Sequence, residues 1–573
     1  MGAVPSARLA DLPDEVPVLI AGGGPSGLFL ALDLAQRGIR SLVIEPRTSI
    51  DQDRPRAKTT NARTMTHLRR IGLAEALRKA APLPVEFAQD VIFCSSLTGR
   101  EIRRFPQAFQ LETGRYEPQP ECGQQVPQPV LESLLRRSVE DSAHAMLLTG
   151  LRVESHATSA MGQEVTVVDQ AGTSRTVRSS FLAAADGGSS TVRRGLGIRL
   201  EGGSATLSNI SILFRSGDLA DTISLDPAVQ YWVLGPGTAG MVGRMNMDQT
   251  WWAIVQGVDG SAGGQDVDAV ALVRSLVGAD VEVDVIATDP WTARMLLAPS
   301  YGRDGVFLVG DAAHQNPPWG GHGFNTCIGD AANLAWKIAA ALEGWAGPDL
   351  LDSYGVERRP VAERTIGDAA ANGKALAYHF ADPALELDGE AGHAARANAR
   401  EALSVKQSEF DSLGLVLGYS YSGSPLVVPD GSPVPAEHPI RYTPTATPGA
   451  LLPHVWLDHS TSIYDVLGPV FTLLVDAETL AGAAVESVYA PVLETAAEQR
   501  VPVTVVALQQ ADNGIPMTDL WAADAVLVRP DQHVAWRGSS AEAAAHALVI
   551  AAGWTRSESS HLKESAHADA VIS

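Results

Sequence analysis

Cysteine is scarce in this chain: three in 573 residues, Cys94, Cys122 and Cys327. That is too few for a disulfide scaffold or an all-cysteine zinc site, and no metal centre is expected. The scarcity suits a reducing compartment. Long apolar runs are missing as well, none reaching the ~18 uncharged residues a membrane helix needs. The opening residues 1–15 lack the apolar core of a signal peptide and read as a frayed lead-in. Positive charge is in deficit, with 43 Lys and Arg against 66 Asp and Glu and a net charge of −23. Such a surface repels phosphates and argues against a nucleic-acid partner. Met1-Gly2 with Ser6 has no basic cluster behind it to support an acyl anchor, and Asn209-Ile210-Ser211 is a chance sequon. With 45% apolar and 19% charged residues, what remains reads as a soluble, cytoplasmic, multi-domain protein.

What is there begins at residues 16–21, VPVLIA, a short apolar run of the kind buried parallel strands show. It leads into Gly22-Gly23-Gly24-Pro25-Ser26-Gly27 and then an apolar helix that Gly38 closes. A second strand, residues 41–44, ends on Glu45. This is a βαβ unit of about 30 residues carrying Gly-x-Gly-x-x-Gly and an acid about 20 residues on. The glycines permit a tight turn and a close approach of backbone to pyrophosphate, and the helix start supplies N–H donors. An acid at position 45 favours an unphosphorylated adenosine ribose, hence FAD or NAD.

The rest of the chain divides by pattern. Residues 64–81 and 130–141 read as helices, and 150–185 as strands. Residues 200–290 are rich in β-branched and aromatic residues, including Tyr231-Trp232 and Trp251-Trp252, and predict a sheet. A strand at 306–309 precedes a Gly/Pro-rich loop and a helix over about 330–342. Residues 345–410 read as helical, 411–450 as a Pro/Gly/Ser linker, 451–556 as a small α/β domain and 557–573 as a disordered tail.

Two further motifs follow the first: Asp186-Gly187 within residues 185–193, and Gly310-Asp311 within residues 309–330. Each alone is ordinary turn chemistry. Their order after the dinucleotide motif is what carries information. In Gly310-Asp-Ala-Ala-His314-Gln-Asn-Pro-Pro318-Trp-Gly320-Gly321-His322-Gly323-Phe324-Asn325, the glycines precede a helix whose N–H groups would face an anion.

With these three motifs the chain resembles the single-component FAD-dependent aromatic hydroxylases, the group that includes para-hydroxybenzoate hydroxylase and phenol hydroxylase. The likeness continues through Asp330-Ala-Ala-Asn333-Leu-Ala-Trp-Lys337, Glu357-Arg-Arg-Pro360 and Val528-Arg529-Pro530-Asp531, spanning about residues 16–540. Arg54-Pro55-Arg56-Ala57-Lys58 and Leu417-Gly418-Tyr-Ser-Tyr421 resemble the 2,4-dichlorophenol 6-monooxygenase type. Position 58 departs from that type, holding Lys where its relatives often carry His.

The resemblance implies an α/β fold. A Rossmann-like FAD-binding domain would comprise 16–199 and 291–410, with a β-sheet substrate domain inserted at 200–290. A thioredoxin-like domain at 451–556 would lack redox cysteines. It implies FAD as cofactor, NADPH or NADH as electron donor and O2 as co-substrate. The reaction would hydroxylate a small phenolic substrate, ortho to its hydroxyl, through a flavin C4a-hydroperoxide. The alternative substrate is a larger phenolic or polyketide intermediate. A homo-oligomer is expected by the same analogy. FAD contacts would come from Gly22, Gly24, Pro25, Ser26, Gly27, Glu45, Arg47, Arg56, Gln128, Asp186, Gly310, Asp311, Pro318, Gly321, Gly323, Phe324 and Asn325. Lys58, Pro318 and His314 are the catalytic candidates, and Tyr231, Trp232 and Trp251 the substrate-wall candidates. Arg56 and Arg193 are the basic candidates for the nicotinamide donor. A flavin halogenase fits less well, because Trp251-Trp252 does not match its Trp-x-Trp pattern.

Overall fold

A computed structural model describes residues 7–53, 58–235, 237–258, 267–375 and 377–554. The first sheet runs in spatial order 302–303, 306–308, 174–184, 15–21, 41–45, 145–149, and strands 152–159 and 162–168 extend it. Glu15–Ala21 lies at its centre, parallel to Ser174–Ala184 on one side and Ser41–Glu45 on the other. Both faces of this strand are covered, so Val18, Leu19 and Ile20 are buried without alternation. Helix Pro25–Gln36 is buried from Gly27 to Leu34 and packs on helix Gly323–Glu343. The parallel strands bring their carboxyl ends together, with Ala21 beside Ile44 and Ala184, and Ala184 beside Leu308. A ligand site belongs along that edge, where the strand order reverses.

The second sheet runs 314–315, 284–297, 201–215, 250–256, 239–244, 230–234, 91–94, 101–105. It is therefore larger than the stretch 200–290 expected of it. Val91–Cys94 is drawn in from the first domain's sequence and pairs in parallel with Gln230–Val233. Its residues VIFC are all buried, a pattern equally suited to either sheet. The third sheet, 503–508, 471–476, 525–528, 534–538, has one parallel and two antiparallel pairings. With helices Ala490–Gln499 and Ala541–Ala551 it forms the thioredoxin-like C-terminal domain.

Several boundaries differ from the pattern-based reading. The helix expected over 64–81 is two, Ala62–Arg70 and Ala74–Ala80, with Gly72 at φ +75° between them. The helix expected from 330 begins earlier, at Gly323. The lead-in is held from Ala7, whose N–H donates to the Thr149 carbonyl, and Leu12 is buried. The tail 557–573 lies outside the described residues. The segment expected as a linker has little regular structure, yet Leu415, Leu417, Tyr421 and Leu426 are buried. Its Pro, Gly and Ser describe the backbone, whereas its scattered apolar residues decide that it packs as a strap.

One buried network joins the strap, the first domain and the C-terminal domain. Arg529 donates through both terminal nitrogens to Glu357, at 2.6 and 2.8 Å, and also to Asp531. Glu357 accepts from Lys337 at 2.7 Å, Asn333 at 2.8 Å and Ser424 of the strap at 2.6 Å. The guanidinium lies between the rings of Trp336 and Tyr421. Burial alone would raise the Glu357 carboxyl, but the charges of Arg529 and Lys337 outweigh it and hold it near about 2. Arg529→Met strands two buried carboxylates and is expected to cost about 3–5 kcal/mol, read from urea unfolding. The stabilisation from Glu357 is complete above its ordinary value of 4.5 and is lost as pH falls toward about 2. The variant's deficit should therefore shrink across that window; a deficit independent of pH would contradict the assignment.

Candidate active site

At the converging strand ends lies a cavity of about 640 Å³. Gly22, at φ +104°, lies so close to the Ala185 carbonyl that no side chain could fit between them. Gly27 packs equally hard on the Gly22 carbonyl, so the helix sits directly on the turn. A Cβ on Gly24 would meet nothing, which leaves its backbone open to the cavity. Gly24, Pro25 and Ser26 line the cavity where helix Pro25–Gln36 begins. This is a phosphate cradle made of backbone.

Glu45 closes one end. Its carboxylate accepts from the Gly23 N–H at 2.7 Å and from the Arg47 side chain at 2.7 Å. Arg47 also donates to Glu132, which Arg136 supports. Gln128 stands at the start of helix Gln128–Glu140 and lines the same end. Toward the other end, one oxygen of Asp186 accepts from the Thr191 and Val192 N–H groups. Its other oxygen is buried without a partner among the described residues, an acceptor open to a ligand hydroxyl. Asp311, Phe324 and Cys327 complete this wall. A glycine cradle with hydroxyl acceptors on both sides fits FAD.

The third motif is held rigidly. Asp330 accepts from the Gly310 N–H, from Arg358 at 2.9 Å and from His314 at 2.7 Å. Asn325 donates to the Gly321 carbonyl at 2.7 Å and to the Thr59 carbonyl at 2.9 Å, and accepts from the Asn61 N–H. It thereby staples the glycine loop to the strand that follows Lys58. Gly320 and Gly321 adopt φ +81° and +67°, and Pro318 is exposed at the head of the loop. The Gly321 N–H donates to the Pro318 carbonyl. The anion-facing N–H groups are therefore those opening the helix at Gly323 and Phe324.

Lys58 is half-buried, its ammonium 4.2 Å from the ring centre of Trp252, and no ion pair engages it among the described residues. Burial lowers it to about 8. Trp232 and Trp252 share one sheet face with Met241, Trp319 and Phe410.

Several expected site residues fall elsewhere. Tyr231 and Trp251 occupy the opposite face, packed with helix Ala269–Val277, because neighbouring strand residues point to opposite sides. The Tyr231 hydroxyl donates to the Asp226 carbonyl. His314 is fully buried, bonded to Asp330 and to Asn316, and has no free nitrogen for substrate. Its ring is raised by Asp330 despite the opposing effect of burial. Both contacts tie it to the loop and to helix Gly323–Glu343. Arg193 is spent on the carbonyls of Ala312 and Gly188. Gly310 and Gly27 provide close packing and do not line the cavity. Arg56 lies outside the described residues. Sequence reasoning missed Arg152 and Cys327 in the cavity wall, and Lys406, Glu409 and Phe410 near the loop. Nothing local in the sequence marks them.

Gly22→Ala would drive a methyl into the Ala185 carbonyl at a left-handed φ. Apoprotein carrying it should bind FAD at least about tenfold more weakly by fluorescence titration, matching the ~1.4 kcal/mol a modest backbone strain costs.

Comparison with known proteins agrees with this geometry. An FAD binding domain family matches residues 15–369, and the aromatic-ring hydroxylase C-terminal family matches 445–554. The 2,4-dichlorophenol 6-monooxygenase of Cupriavidus pinatubonensis is 32% identical, over 94% of this chain and 96% of its own. The rebeccamycin biosynthetic enzyme RebC, solved with reduced flavin, is 33% identical with a TM-score of 0.82, covering 94% of this chain and 100% of its own. Aklavinone-11 hydroxylase, solved with FAD and aklavinone, is 27% identical with a TM-score of 0.78, covering 94% and 99%. No helix among the described residues is long and apolar enough to cross a membrane. Cradle, acceptors, helix start and C-terminal domain coincide with the matched families, and the chain belongs to the FAD-dependent aromatic-ring hydroxylases, flavin monooxygenases that hydroxylate aromatic compounds.

Proposed function

We propose that the protein hydroxylates a phenol at the ring carbon ortho to its hydroxyl, consuming O2 and NADPH or NADH. The observation that carries this reading is Lys58, a half-buried lysine whose ammonium stands over the Trp252 ring with no carboxylate partner among the described residues. An unpaired cation of this kind calls for an anion, and a phenolate is an aromatic anion. It is also the more reactive form of the ring toward an electrophilic oxygen. Lys58 would hold the phenolate oxygen, while the aromatic face around Trp232 and Trp252 would stack the ring and exclude water. Bound FAD, once reduced, supplies the oxygen activation. Asn325 keeps the loop and the residues next to Lys58 in one frame, so that the ring and the cofactor site stay in register.

A larger phenolic or polyketide substrate is the second reading. It is favoured by the likeness over nearly the whole chain to a hydroxylase solved with aklavinone. Stopped-flow reduction of the yellow holoenzyme by NADH and by NADPH, with simple phenols and polycyclic phenols in parallel, separates the two. Faster bleaching with simple phenols supports the first reading. Acceleration only with polycyclic phenols supports the second, and acceleration with neither excludes both.

Lys58→Met should lower kcat/KM for the accelerating phenol about 10- to 100-fold, the worth of one charged hydrogen bond. Lys58 is charged below about 8 and neutral above it. For a phenol already ionised across the range, binding should be flat below that pH. Above it, binding should weaken by up to about tenfold per unit. Binding by the Met variant, followed through the flavin spectrum, should show no such break; a break at the same pH in the variant assigns it to another group.

A further inference from the structure

Behind the glycine loop lies another buried lysine, Lys406, and like Lys337 it has a carboxylate partner. Lys406 and Glu409 form an ion pair within the helical extension, and both are buried. The ammonium also donates to the Asn372 carbonyl at 3.1 Å and lies 4.9 Å from the ring centre of Trp232. The Glu409 residue also packs on the loop, its backbone carbonyl 3.5 Å from where a Cβ on Gly320 would stand. One pair thus touches the sheet face that carries Trp232 and Trp252 and also the loop that opens helix Gly323–Glu343. Nothing in the FAD-binding fold requires a carboxylate there, since Asn325 already ties Gly321 to Thr59. Burying two charges is costly, and replacing such a pair by apolar residues is often neutral or stabilising. The pair's position beside the loop gives it a second consequence, an electrostatic one.

We infer that Lys406 and Glu409 are positioning residues that set the flavin's reduction potential, Glu409 placing negative charge behind Gly320 and Lys406 offsetting it. The inference rests on the reading that the helix start beyond Gly321 faces the pyrimidine edge of FAD, where a reduced flavin carries negative charge. Inside the protein such charges act over several ångströms with little screening. Removing Glu409 should favour the reduced flavin, and removing Lys406 should disfavour it. A pair that served packing alone would shift both variants the same way, through loosening of the loop.

The test uses the FAD-loaded full chain, titrated against an indicator dye with dithionite. At a fixed pH and dye potential, E409Q should raise the reduced-to-oxidised ratio about tenfold. That corresponds to about 30 mV for a two-electron couple. K406M should lower the ratio by a similar factor, and the double variant, which removes both charges, should return to within about threefold of the parent. FAD affinity, measured in the same preparations, should change less than the potential. Shifts of one sign in both single variants, or no shift, overturn the inference while leaving the FAD reading intact. A parent protein that binds no FAD overturns both. If a single variant fails to hold FAD, E409D carries the test. It keeps the charge but withdraws it from Gly320, and should raise the ratio about threefold; an unchanged ratio counts against the inference.

Discussion

The bidentate contact between Arg529 and Glu357 is the constraint on which the arrangement depends. Both groups are fully buried, so neither can be left alone without the desolvation cost of a bare charge. Glu357 lies on helix Asp349–Gly373, directly after the helix that starts at the glycine loop. Arg529 lies on the C-terminal domain, and Ser424 brings the strap to the same carboxylate. A domain without a cysteine thus contributes through one loop, 529–531, that completes a charge network begun in another domain. Arg63 extends the same joint, donating to the Asp531 carbonyl from the helix that follows Lys58. Position 58 and the C-terminal domain are therefore mechanically connected.

Helix Gly323–Glu343 is the spine of this arrangement. Near its start, Asp330 gathers the Gly310 N–H, His314 and Arg358, fixing where Asp311 faces the cavity. Arg358 then reaches Tyr421 of the strap. Farther along, Asn333 and Lys337 join the Glu357 network. With Asp330 bonded on one side and Asn333 and Lys337 bonded a turn or two farther on, the middle of the helix cannot slide along its axis without breaking one of these clusters. That rigidity keeps the loop at its start in place for a cofactor.

Legibility in the sequence followed the range of the interaction. The first βαβ unit was legible because its strand, turn, helix and acid are contiguous. Val91–Cys94 was not, because its parallel partner Gln230–Val233 lies far along the chain and its apolar run suits either sheet. His314 read as catalytic because its partner Asp330 is out of local view, and a histidine in a loop beside a cofactor motif has no local mark of burial. The doublets Tyr231-Trp232 and Trp251-Trp252 hold a subtler point. Two adjacent strand residues must face opposite ways, so one of each doublet was excluded from the site by geometry alone. Which one depends on the register against Phe93 and Leu213, and that appears only in the folded sheet.

The two ends of the site are built from different materials, and this explains why the cofactor was readable and the substrate was not. The FAD end is made of backbone: the turn at Gly22, the open peptide at Gly24 and the left-handed pair Gly320 and Gly321. Backbone recognition requires glycine at fixed spacing, so it leaves a pattern in the sequence. The proposed substrate end would be made of side chains from four separate segments, Lys58, Trp232, Trp252 and Phe410. Side chains can be exchanged without disturbing the cradle, so this wall can change its chemistry while the motifs stay as they are. Among the similar proteins, one is named for 2,4-dichlorophenol and another was solved with aklavinone. In this chain the feature that would distinguish that wall is the Lys58 ammonium over the Trp252 ring, unpaired among the described residues.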